Sequence, residues 1–224
     1  MDLLIFDLDG TLIDSKLDLA HSVNATRAHL GLGPLDNECV YSYVGNGAQV
    51  LIRKALGPEY TDEQVEAALK YFLGYYREHM LDYTTLYPGV RECLDRLREE
   101  GVQMAVLTNK PVRFSSDILR GLGVFDHFFR IYGGNSFEQK KPHPMGVEKL
   151  LEESGAPRER TLMVGDSGVD IRTARNAGIR ACGVTYGFQP ETFTEEAPDF
   201  LVDTAVELAE LVIAGRSAAK GVPT

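Results

Sequence analysis

The chain has 224 residues, 44% hydrophobic and 25% charged, which is apolar mass enough for a sizeable core and for one or two domains. Its 33 acidic and 23 basic side chains leave a formal net charge of −10 and a sequence pI of about 5.0. With no basic run in it, such a chain argues against nucleic acid or an anionic membrane surface as partner.

Cys39, Cys93 and Cys182 are far apart, odd in number and without CxxC spacing, so they read as reduced thiols. No apolar run is long enough to span a membrane, and the first one is broken by Asp7. The expectation is a cytoplasmic protein, monomer or homodimer.

In chain order, "LLIFDLDGTLIDS" (3–15) comes first: an apolar strand running into Asp7 and Asp9. Residues i and i+2 of a strand share a face. Two carboxylates about 5 Å apart repel by roughly 3 kcal/mol at an effective dielectric of 20. A cation would relieve that, as would protonation of one acid. Gly10 and Thr11 turn the chain, which puts the pair at a strand's C-terminal tip, where open α/β sheets bind ligands. A turn in which the aspartates bond only local backbone remains the plainer alternative.

Residues 16–84 then read as helical with no strand among them. The segments are "KLDLAHSVNATRAHLGL", "NECVYSYVGNGAQVLIRKALG" and "TDEQVEAALKYFLGYYREHM". Thr61 and Gln64 have the spacing of a capping box. Within this unit "VGNG" (44–47) offers backbone amides and the Asn46 side chain, and Arg53 lies about two helical turns further on. Either the two face a small substrate, or Asn46 caps a helix and Arg53 is a surface group. Pro88 and Gly89 mark the return to the first unit.

From there strand-like runs alternate with helical ones. The strands are 102–108, 128–134, 160–166, 179–187 and 199–203; the helices are 89–101, 113–123, 143–155 and 167–178, each ending in Gly. Near-continuous apolar strands between helices mean a parallel sheet covered on both faces. The segment from 215 to 224 reads as a frayed tail.

Three of these segments repeat the opening pattern. "AVLTNKP" ends a strand in Thr108 and Asn109 ahead of a helix, a ready anion site or a simple helix cap. "LMVGDSGVDI" puts Asp166 at a strand tip and Asp170 one helical turn later. In "QKKPHP", Pro142 restricts Lys141, making it a better candidate than Lys140 to neutralise a phosphate. If the three strands are neighbours, four carboxylates converge, and hard oxygen donors of that kind select Mg²⁺.

The motifs "DLDGT", "LTN", "KKP" and "GDSGVD", in that order, resemble those of the haloacid dehalogenase superfamily of phosphatases, and the resemblance spans nearly the whole chain. Within it, "YVGNGAQVLIRKALG", "LYPGV" and "KPHP" are similar to the bacterial phosphoglycolate phosphatase group. The resemblance implies a Rossmann-like parallel sheet with helices on both faces plus an inserted all-α helical cap domain. The core would be residues 1–15 and 85–224, the cap 16–84. It implies Asp7 as nucleophile and Asp9 as general acid and base. Thr108, Asn109 and Lys141 would hold the phosphoryl group. Mg²⁺ would be bound by Asp7, Asp166 and the backbone carbonyl of Asp9, with Asp170 in support. The expected reaction is hydrolysis of a small phosphorylated metabolite, 2-phosphoglycolate first, through an aspartyl-phosphate. An acid at position 9 favours a phosphatase, because an ester leaving group needs a proton. The rivals are a sugar phosphomutase (β-phosphoglucomutase-like), a pyrophosphatase of the same superfamily, and a non-catalytic binding module, since fold alone does not fix function.

Overall fold

The structure, a computed structural model, describes residues 1–220. The chain opens with β1 (Leu3–Phe6) and the two-residue β2 (Ile13–Asp14). Four helices follow without an intervening strand: α1 (Lys16–His29), α2 (Asn37–Tyr41), α3 (Ala48–Leu56) and α4 (Asp62–His79). The short β3 (Thr85–Leu86) comes next and pairs antiparallel with β2, Ile13 opposite Leu86. Thereafter helix and strand alternate: α5 (Val90–Glu99), β4 (Gln103–Leu107), α6 (Val112–Gly121), β5 (Arg130–Tyr132), α7 (Met145–Ser154) and β6 (Thr161–Gly165). The chain then continues through α8 (Gly168–Asn176), β7 (Arg180–Val184), β8 (Phe200–Val202) and α9 (Ala205–Lys220).

Six strands form one parallel sheet in the order β5-β4-β1-β6-β7-β8. The reason lies in the strand sequences. Leu3, Leu4 and Ile5 are fully buried, so β1 needs cover on both faces. Leu4 and Phe6 pack into one apolar cluster with α5, α6 and α9; Leu3 and Ile5 pack into a second with α7 and α8. The glycines closing four of the helical stretches, Gly101, Gly123, Gly155 and Gly178, all have φ between 65° and 70°, the left-handed stop that a side chain disfavours.

The first cluster continues without a break into the helical insertion, through Leu51, Val65 and Phe72. Insertion and sheet therefore bury apolar surface against a shared core. The Thr61–Gln64 capping box forms and starts α4. Two expectations change. The single helix read over 37–57 is split into α2 and α3, because Gly45 and Gly47 sit at φ of 110° and 89° in the loop between them. The tail read as frayed from 215 is helical through Lys220, and its remainder, 221–224, lies outside the described residues.

The topology fixes where a ligand goes. From β1 the chain builds outward to β4 and β5, then returns to the other side of β1 for β6, β7 and β8. The order reverses at β1, and the strand ends on either side of it open a crevice there.

Candidate active site

The tips of β4, β1 and β6 are adjacent, and each delivers polar side chains to one place. The Asp7 backbone N–H donates to the Val164 carbonyl at 2.9 Å and so continues the β1–β6 pairing by one residue. Asp166 follows β6 directly, and Asp170 sits in the first turn of α8. Carboxylate oxygens of Asp7, Asp166 and Asp170 all lie within 4.8 Å of one another, and all three residues are buried.

Lys141 brings the compensating charge. Its Nζ is 2.6 Å from Asp170 Oδ1 and 2.9 Å from Asp7 Oδ1. Asp170 is held from the other side by the Ser167 hydroxyl (2.8 Å) and the Ser167 N–H (3.2 Å). Asp7 Oδ1 is buried and ion-paired with Lys141 but receives no well-formed hydrogen bond. Asp166 Oδ2 accepts the Phe188 N–H at 2.7 Å.

The electrostatics follow from burial. Loss of solvent pushes the Asp7 carboxyl up to about 6, Asp170 adding to the effect and Lys141 opposing it. Burial, then Asp170 and Asp7, raise Asp166 well above the usual carboxylate range. Burial works against the Lys141 ammonium, but Asp170 and Asp7 outweigh it and hold its pKa above the ordinary lysine value. Three acids and one ammonium leave the cluster short of positive charge. A buried carboxylate oxygen without a well-formed hydrogen bond, among other hard oxygen donors, fits a hard divalent cation.

The packing around Asp166 leaves no room for change. A Cβ on Gly10 would stand 2.1 Å from Asp166 Oδ2, and Gly10 has φ 83°, so glycine is required there twice over. A Cβ on Gly187 would stand 2.1 Å from the Asp166 Cβ.

Asp9 departs from expectation. Its carboxylate does not join the three acids. It lies in the turn after β1, where Lys110 Nζ contacts both oxygens at 2.9 and 3.1 Å and the Ser15 hydroxyl donates at 2.5 Å. Three carboxylates converge rather than four, and Asp9 has only its backbone carbonyl to offer a cation.

Thr108 and Asn109 are buried at the β4 tip and line the same cavity. The Thr108 hydroxyl accepts the Lys110 N–H at 3.2 Å. Asn109 Nδ2 donates to the Lys141 carbonyl (3.2 Å) and to the Gly45 carbonyl of the insertion (3.1 Å), and its Oδ1 is buried without a partner. The insertion is closed onto the sheet: Gln189 Nε2 donates to the Val44 carbonyl (2.9 Å), and Lys140 Nζ to the Asn46 carbonyl (2.6 Å). Lys140, the lesser of the two lysines as a phosphate candidate, is thus a contact between the two parts.

Asn46 and Arg53 do not reach the cavity. Gly45 and Gly47 line it, and Asn46 meets the sheet side through its carbonyl. The Arg53 guanidinium is spent inside the insertion, on the Tyr60 carbonyl at 2.5 Å and on Asp62. Their assumed common helical face does not exist, because α3 begins only after Gly47.

Sequence reasoning also passed over Lys110, Ser15 and the loop after β7. Lys110 had a signal, since it follows Asn109 directly at a strand tip. Ser15 and Phe188 had none: Ser15 meets Asp9 across an irregular turn, and Phe188 meets Asp166 from a loop far along the chain.

The haloacid dehalogenase-like hydrolase family matches residues 4–184. A phosphoglycolate phosphatase of Pseudomonas putida is 41% identical over 207 residues, 90% of this chain and 76% of its own length. One from Vibrio vulnificus is 38% identical over 218 residues, covering 94% and 96% of the two chains. The crystal structure of a predicted phosphoglycolate phosphatase from Haemophilus somnus superposes with a TM-score of 0.89 at 33% identity, covering 94% of this chain and 97% of that one. The match runs from β1 through β7 and so spans the positions of the clustered acids, and the chain belongs to the haloacid dehalogenase-like hydrolase family, standing with its phosphatases.

Proposed function

We propose that the chain is a Mg²⁺-dependent phosphomonoesterase that hydrolyses 2-phosphoglycolate to glycolate and phosphate through an aspartyl-phosphate. One observation carries the reading: the tips of β1 and β6 and the first turn of α8 bring Asp7, Asp166 and Asp170 around a single buried lysine, with a charge deficit left over. The substrate follows from the relatives of that name at 38–41% identity.

In this reading Asp7, Asp166 and the Asp9 carbonyl hold the cation. Bound there, Mg²⁺ would supply the positive charge that offsets the repulsion of an anionic nucleophile and a phosphate dianion. The remaining work falls to side chains. An Asp7 carboxylate oxygen attacks phosphorus, and the ester P–O bond breaks. Asp9, oriented by Ser15 and Lys110, gives its proton to the leaving oxygen. Water then attacks the phosphorus of the aspartyl-phosphate, Asp9 takes its proton, and the bond to Asp7 breaks. Lys141 and the Thr108 and Asn109 groups meet the phosphoryl oxygens, where charge develops. Asp170 is a positioning residue, fixing Lys141.

We place the core at residues 1–15 and 85–224, of which 221–224 lie outside the described residues, and the cap at 16–84, the β2–β3 ribbon being the double crossing between them. Among the described residues no helix is long and apolar enough to cross a membrane. The three free cysteines accord with a cytoplasmic setting.

The test is phosphate release from a panel of small monoesters, with Mg²⁺ or with EDTA. The panel includes 2-phosphoglycolate, sugar phosphates and pyrophosphate. Metal-dependent release led by 2-phosphoglycolate is expected. A lead by pyrophosphate, or sugar-phosphate isomerisation without release, overturns the assignment.

A further inference from the structure

The cavity beside Asp9 is walled on the cap side by apolar residues and glycines, including Leu19, Leu51 and Phe72. Among the cap residues lining it, the one polar side-chain atom is the Tyr76 hydroxyl. Tyr76 is 2% exposed, and its hydroxyl has no well-formed hydrogen bond. From the sheet side Lys110 enters, 7% exposed, with Nζ 4.7 Å from the centre of the Tyr76 ring. Among the described residues lining the cavity, Lys110 is the single cation; Asp7, Asp9 and Asp166 are all acids.

A substrate with a charged leaving group meets a difficulty here. Its phosphoryl end faces Asp7, and its ester oxygen lies within reach of Asp9. Whatever is bonded to that oxygen projects into the apolar space. A carboxylate there needs a partner, because an unpaired buried charge is costly. Arg53, which sequence spacing offers for this task, is committed elsewhere. Lys110 lies one hydrogen bond beyond Asp9, where a carboxylate on the carbon next to the ester oxygen arrives.

We propose that Lys110, together with the Tyr76 hydroxyl, is the subsite that recognises the leaving-group carboxylate. An ammonium with three donors serves Asp9 and a second carboxylate at once. The aromatic ring below it keeps the cation in place without neutralising it. Tyr76, on α4, makes the subsite complete only when the cap is closed, so recognition of the acid and closure over the site are the same event. The assignment rests on the phosphomonoesterase reading above and adds which groups select an α-phosphoryloxy acid.

Binding of inert phosphonates tests this apart from the chemistry at Asp9. Titration calorimetry with Mg²⁺ present compares 3-phosphonopropionate, which keeps the carboxylate, with propylphosphonate, which lacks it. The wild-type chain is expected to favour the carboxylate-bearing ligand by at least about tenfold, as a charge-assisted pair in an apolar site allows. Lys110→Met removes the preference while retaining affinity for propylphosphonate. Lys110→Arg restores part of it, and Tyr76→Phe reduces it severalfold. Equal affinities for the two ligands in the wild type, or an unchanged ratio in Lys110→Met, overturns the subsite. If the ratio behaves as expected but no monoester releases phosphate, the subsite stands and the catalytic reading falls.

Discussion

The Lys141 ammonium lies 2.6 Å from Asp170 Oδ1, and the two side chains are 2% and 0% exposed. A pair sealed in this way contributes little net stability when intact, but removing one partner leaves a buried charge uncompensated, at a cost of about 3–5 kcal/mol. Asp170→Asn keeps the volume and deletes the charge. Asp7 remains as a second partner for Lys141, so the loss should fall near the lower end, about 3 kcal/mol. Urea unfolding without metal measures it. A midpoint unchanged from wild type would mean that the pair is not formed in solution.

Asp7→Asn should behave in the opposite way. Burial pushes the Asp7 carboxyl up to about 6, so near neutral pH its ionised form works against the fold. An amide of the same shape removes that strain. The variant is expected to match or exceed wild-type stability while phosphate release falls by at least about a thousandfold, as for the loss of a covalent nucleophile. Residual turnover above a few per cent would reassign the nucleophile.

The same shift gives the metal-free chain a pH dependence of known sign. The ordinary value is 3.8 and the native value about 6. Between these the native state holds a proton that the unfolded chain has lost, so unfolding releases it. Stability then falls as pH rises from about 4 to about 6, by about 3 kcal/mol from this group alone. Wild type minus Asp7→Asn, each unfolded in urea with EDTA, isolates that component. Mg²⁺ acts against it by competing with the proton. At about one hundred times its Kd the ion should stabilise the chain by about 2.7 kcal/mol. The accompanying rise in Tm should be greater at pH 7.5 than at pH 5. An equal rise at both values would count against binding at these carboxylates.

What could be read from the sequence divides along physical lines. Asp7, Asp166 and Lys141 stand at the ends of apolar runs or against a proline, and local pattern suffices to bring them to strand tips. The family's ordered motifs identify the chain for the same reason. Arg53 misleads because Gly47 stands between it and Asn46, and the backbone is not helical there. Lys110 is paired with an acid 101 positions away, and a lysine is by default a surface group. The two-residue strands β2 and β3 are too short to leave an alternation, and only their pairing makes them visible.

Asp18 belongs with the residues that sequence pattern misses, and it controls how the insertion is tied down. An acid in the first turn of α1 reads as a favourable charge near a helix N-terminus. In the structure it is 1% exposed and reaches across 65 residues to the far end of the insertion. Its carboxylate accepts from the Tyr83 N–H (3.1 Å to each oxygen), the Thr84 N–H (2.8 Å) and the Thr84 hydroxyl (2.7 Å). The segment entering the cap and the segment leaving it are thereby held together just outside the β2–β3 ribbon. Asp18→Ala leaves these donors without their acceptor; a hydrogen bond to a charged group is worth about 1.5–3 kcal/mol net, less here because water can reach donors in a part-exposed segment. A loss of about 3 kcal/mol in urea is expected. Local opening should accompany it, because Tyr83 is already 56% exposed and, apart from an edge-to-face contact of its ring with His21, is restrained through its backbone. Chymotrypsin should therefore cut at Tyr83 in the variant well before the wild type. If that bond stays as resistant as in the wild type, the carboxylate is not what closes the base of the cap.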